Sequence, residues 1–81
     1  MEKTIYSREY SVVLRLLRAA RDEAGMTQVE LAKELGLTQS FVSKIERGDH
    51  RLDIVQLRNF CKVLGLPLRE FVEQMELELS R

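Results

Sequence analysis

Residues 27 to 48 read Thr-Gln-Val-Glu-Leu-Ala-Lys-Glu-Leu-Gly-Leu-Thr-Gln-Ser-Phe-Val-Ser-Lys-Ile-Glu-Arg-Gly. Two short helical patterns stand here, each opened by Thr-Gln and separated by Gly36. The apolar positions Val29, Leu31, Ala32, Leu35, Leu37, Val42 and Ile45 suit two helices packed at a steep angle, with small Ala32 permitting close approach. Thr27 followed by Glu30 has the spacing of a capping box, and Met26 is placed to staple onto Leu31. Thr38 caps the second pattern, Gln39 to Arg47, which Gly48 closes.

Outward from this unit the pattern stays helical. Ser7 reads as the cap of a first helix that runs to Ala24, with Val13, Leu14, Leu17, Ala20 and Ala24 on its inner stripe and Gly25 at its end. Residues 1–6 lack a pattern and read as an arm. Asp53 caps a fourth helix with Ile54, Leu57, Phe60, Cys61 and Leu64 inward, ended by Gly65. Pro67 opens a fifth at its first turn; this helix carries Leu68, Phe71, Val72 and Met75, of which Phe71 and Val72 fill the core. Valine and isoleucine fall on helical rather than alternating spacing, so the fold class is all-α, five helices in a single domain spanning residues 1–81.

Composition narrows the function. Eighty-one residues can build one small core, provided helices pack well. The lone Cys61 excludes an internal disulfide, and the absence of a signal-length or spanning apolar run points to a cytoplasmic protein with no membrane partner. Thirteen basic and thirteen acidic residues cancel to a net charge of zero, which at first argues against nucleic acid. The distribution weakens that objection: residues 67–81 carry Arg69 and Arg81 against Glu70, Glu73, Glu76 and Glu78, so the preceding body is mildly basic. His50, the only histidine, has no second ligand at metal spacing, and no nucleophile stands beside an oriented base. No cofactor, small-molecule ligand or enzymatic activity is expected. Cys61 reads as a packed apolar side chain, and Tyr6 and Tyr10 as anchors of the arm or of the first helix.

The segment 27–48 has the layout of a DNA-reading helix-turn-helix. Its second helix buries only Val42 and Ile45, so its polar N-terminal end can protrude into a major groove. There glutamine pairs bidentately with adenine, and lysine donates to guanine. Gln39, Ser40, Ser43 and Lys44 face outward together as candidate base readers. The alternative is an ordinary solvated face, and either serine can instead bond locally or reach a phosphate. Phe41 either packs on the neighbouring turn, the preferred reading, or meets a thymine methyl. Thr27 and Gln28 open a helix whose positive N-terminal end suits a phosphate. Arg18, Lys44, Arg47 and Arg51 are further phosphate candidates or simply solubilising charges.

With these residues in register the sequence resembles the lambda-repressor-like, or Xre/Cro, helix-turn-helix proteins. The resemblance runs from about residue 12 to 72: Leu17-Arg18-Ala19-Ala20-Arg21, Met26-Thr27-Gln28, Leu31-Ala32, Gly36-Leu37-Thr38-Gln39-Ser40, Val42-Ser43-Lys44-Ile45-Glu46-Arg47-Gly48 and Leu64-Gly65-Leu66. It implies that Gln28 bonds the DNA backbone and braces Gln39. It also implies that Arg21 and Glu46 form a partly buried ion pair tying the first helix to the third. The chain departs from the family at Leu52, where many members carry proline before the fourth helix, so a less rigid loop is expected there.

Val55, Val63, Met75, Leu77 and Leu79 remain apolar without an obvious place in one core, and suggest a homodimer that reads a pseudo-palindrome. Scattered exposed apolar residues are the plainer alternative. The sequence therefore points to a dimeric, sequence-specific regulator on double-stranded DNA, a repressor or autoregulatory controller. A restriction-modification controller suits the length, with a phage-type repressor or an antitoxin close behind. The rival is an interaction module of the same fold that binds a toxin or RNA polymerase through the acidic fifth helix.

Overall fold

The structure is a computed structural model and describes residues 7–81; the expected arm at residues 1–6 lies outside them. Five helices follow in order: α1 Arg8–Glu23, α2 Gln28–Leu35, α3 Gln39–Arg47, α4 Ile54–Leu64 and α5 Leu68–Leu79. No strand occurs among the described residues. Local chemistry sets the boundaries. The Ser7 hydroxyl accepts the Tyr10 N–H, Thr27 and Glu30 exchange bonds in a capping box, and Thr38 accepts from Phe41. Asp53 and Gln56 form a second capping box, where the residue pattern predicts only the Asp53 cap. Each such cap is worth about 1 kcal/mol. Pro67 stands at the cap position of α5, one residue before the first helical turn expected for it.

Val12, Leu16 and Leu17 of α1 meet Leu31, Ala32, Val42, Ile45, Phe60, Cys61, Leu64 and Phe71 in one core. Phe71 is fully buried and fastens α5 to the bundle, a burial worth roughly 1.5–3 kcal/mol. The inner stripe of α1 is rotated from the expected one: Tyr10, Val12, Leu16, Leu17 and Arg21 are its buried residues. Val13 and Ala20 only flank the core, Leu14 is half-buried and Ala24 is exposed. Ile54 and Val29 point to solvent rather than inward, as does Val72 at the margin of α5. In each case several apolar residues compete for one face, and contacts from distant helices choose the phase.

Candidate nucleic-acid interface

The sharp turn between α2 and α3 depends on Gly36, whose φ of 71° lies in the left-handed region that costs other residues about 1–2 kcal/mol. Leu37 N–H then reaches back to the Ala32 carbonyl at 2.9 Å, closing a Schellman end on α2. With α2 fixed, α3 buries Val42 and Ile45 completely and turns Gln39, Ser40 and Lys44 to solvent, with Ser43 half-buried beside them. Its polar face stands clear of α5 and of the core.

A chain of side-chain bonds runs from the interior to this face. Arg21 Nε donates to Glu46 Oε2 at 2.6 Å, and Arg21 Nη2 to Oε1 at 3.1 Å. Gln28 Nε2 donates to the same Oε1 at 2.9 Å, and Gln39 Nε2 donates to Gln28 Oε1 at 2.7 Å. Glu46 has a side chain only 5% exposed, and its charge is met by a bidentate guanidinium and an amide, the satisfaction a buried carboxylate requires. Arg21 also donates to the Met26 carbonyl at 2.9 Å. The bond to Glu46 raises the Arg21 pKa above its ordinary value, with burial opposing. The outcome is positional: the donor end of the Gln39 amide is held by Gln28, and its carbonyl oxygen is absent from these bonds.

The other candidates separate. In the capping box the Thr27 hydroxyl accepts the Glu30 N–H and the Thr27 N–H donates to Glu30 Oε1; the hydroxyl's own proton enters neither bond. Lys44 and Arg18 are exposed and enter no ion pair among the described residues. Arg47 donates from Nη1 to Ser43 Oγ at 2.8 Å and from Nε to Asp49 Oδ2 at 3.0 Å. Arg51 lies over the Tyr10 ring, 4.7 Å from its centroid. Phe41 packs, as preferred: its ring meets His50 at 4.5 Å between centroids.

The loop before α4, where the lack of a proline led to the expectation of less rigidity, is tied to α1 through Leu52. Its backbone N–H donates to Tyr10 Oη at 3.2 Å, a bond that proline, lacking the N–H, could not make. Tyr10 thus fastens this loop to α1, beyond the anchoring role read for it. Tyr10 and His50 were missed as neighbours of this face because their contacts bridge segments with no periodic or spacing signal between them, and Asp49 because a separation of two residues from Arg47 carries no helical signal.

Of the proposed dimer residues, Val63, Met75 and Leu79 are half-buried against the chain's own core, so they do have a place in it. Val55 and Leu77 remain 63% and 60% exposed. Cys61 is buried and burial pushes its thiol pKa up, which disfavours the reactive thiolate. No helix among the described residues is long and apolar enough to cross a membrane.

This architecture, a short helix with an exposed polar face set across a glycine turn on a helical core, defines a helix-turn-helix protein. The helix-turn-helix family profile matches residues 17–71, and the chain belongs to that family, in its Xre-type branch. The family is a DNA-binding, non-enzymatic class of transcriptional regulators. An HTH-type transcriptional regulator of Methanothermobacter thermautotrophicus is 32% identical over 60 residues, covering 74% of this chain and 83% of its own length. Another, from Sinorhizobium medicae, is 33% identical over 57 residues, 70% of this chain; the match spans only 41% of that relative's length. Among solved structures, an XRE-family like protein from Pseudomonas syringae pv. tomato superposes with a TM-score of 0.85 at 41% identity, over 93% of this chain and 92% of its own. The wild-type restriction-modification controller protein C.Esp1396I superposes with a TM-score of 0.82 at 32% identity, over 93% of this chain and 99% of its own.

Proposed function

We propose that this protein is a sequence-specific transcriptional regulator, a repressor or autoregulatory controller, that inserts the N-terminal half of α3 into the major groove and acts as a homodimer on a pseudo-palindromic operator. The bond from Gln39 to Gln28, backed by Glu46 and Arg21, carries the reading. A solvated surface glutamine needs no such support, whereas a base reader gains from being held in place before DNA arrives. Gln39, Ser40, Ser43 and Lys44 are assigned to bases. Arg18, Arg51 and the N-terminal turn of α2 at Thr27 and Gln28 are assigned to phosphates. The superposition on a restriction-modification controller supports the controller variant.

Selection of bound fragments from a random DNA pool, followed by mobility shifts at two salt concentrations, tests this. The expected result is a two-fold-related consensus whose affinity falls steeply with salt. Recovery of no consensus, together with capture of an RNA polymerase subunit or toxin through α5, would replace the proposal with the interaction-module reading.

A further inference from the structure

Resting on the DNA-binding reading, we infer that Asp49 is a specificity-determining residue: its carboxylate occupies Arg47 and withholds that cation from sequence-independent phosphate binding. Gln39, Ser43 and Arg47 follow one another at four-residue intervals, so Arg47 continues the outward stripe of α3. It is the last cation of the recognition helix, where a phosphate would take it readily. Instead its guanidinium is shared between Ser43 Oγ at 2.8 Å and Asp49 Oδ2, which both Nε and Nη2 approach at 3.0 Å.

The placement of Asp49 is built in. Gly48, with φ of 85°, turns the chain back, and Asp49 N–H is pinned to the Lys44 carbonyl at 2.8 Å. The His50 ring then rests on Phe41 of α3 itself. The carboxylate is thereby held beside the recognition helix without any bond from DNA. Both partners are exposed, 58% for Arg47 and 46% for Asp49, so the pair is screened and exchangeable. On random DNA, a phosphate must displace Asp49 to gain Arg47. On the operator, base contacts position the backbone and the exchange becomes favourable only there. Asp49 thus lowers affinity for random duplexes more than for the operator, a device that widens the specificity ratio.

The test measures binding of the parent, Asp49→Asn, Arg47→Ala and the double variant to random duplex and to the selected operator across a salt series. Freed Arg47 should add one phosphate contact, so Asp49→Asn should tighten random-DNA binding about threefold to tenfold and steepen its log–log salt slope by about 0.9. The operator affinity should move less, and the double variant should lose the gain. An unchanged random-DNA slope in Asp49→Asn overturns the inference, as does an equal gain in the Arg47→Ala background, which would mark a general charge effect. A parent that binds neither duplex overturns the DNA-binding reading itself, a different result from a parent that binds while Asp49→Asn behaves identically.

Discussion

One carboxylate, Glu46, joins the interior to the proposed reading face. It serves Arg21 and Gln28 at once, and Gln28 in turn holds Gln39. Removing one member of a buried ion pair strands its partner, so Glu46→Ala should destabilise the fold by about 3–5 kcal/mol in urea titrations. Because the folded pKa of Arg21 is raised, the stabilisation from its charge is complete at any pH below the ordinary arginine value. It fades only as pH rises through the folded value, so this group adds no pH dependence near neutrality. Gln39→Ala should lose about 1–3 kcal/mol of discrimination at one base pair per half-site. Gln28→Ala should weaken binding to all sequences and also blur that same base pair, because the brace on Gln39 goes with it. Competition binding with single-mismatch operators separates the two effects; intact discrimination in Gln28→Ala would show that the brace is dispensable.

At the scale of the helices, legibility followed distance along the chain. The caps at Ser7, Thr27, Thr38 and Asp53 and the glycine ends are local chemistry, and the sequence announced them. The phase of α1 was misread because Val12-Val13-Leu14 and Leu16-Leu17 offer several apolar stripes, and only contact with α3, α4 and α5 selects one. Likewise the core and α5's neighbours claimed Met75 and Leu79, residues that periodicity alone left without partners. The outward polar stripe of α3 was legible because a family pattern fixed its register; the hold of Asp49 on Arg47 was not, since two residues' separation carries no helical signal. The turn before α3 also invites a test. A Cβ built on Gly36 meets nothing within 4 Å, so Gly36→Ala pays only for left-handed backbone, about 1–2 kcal/mol. Thermal denaturation should show a lowered Tm with unchanged helical content, whereas loss of the fold would mean that the turn tolerates no rearrangement at all.

For the whole molecule the open matter is assembly. Val55 and Leu77 are exposed while Val63, Met75 and Leu79 already serve the protomer, so a clean probe of self-association spares the latter. Val55→Glu with Leu77→Glu should leave thermal stability within about 0.5 kcal/mol of the parent, as surface changes do. It should shift sedimentation from dimer to monomer and weaken operator binding. A dimer that survives both changes would relocate the interface.

The hydrogen bond between Leu52 and Tyr10 spans 42 positions of sequence. Proline at this position would stiffen the loop through its own ring; here the restraint is supplied by a side chain of the first helix. A change at Tyr10 therefore reaches the loop beside α3 from a helix that lies outside the helix-turn-helix itself.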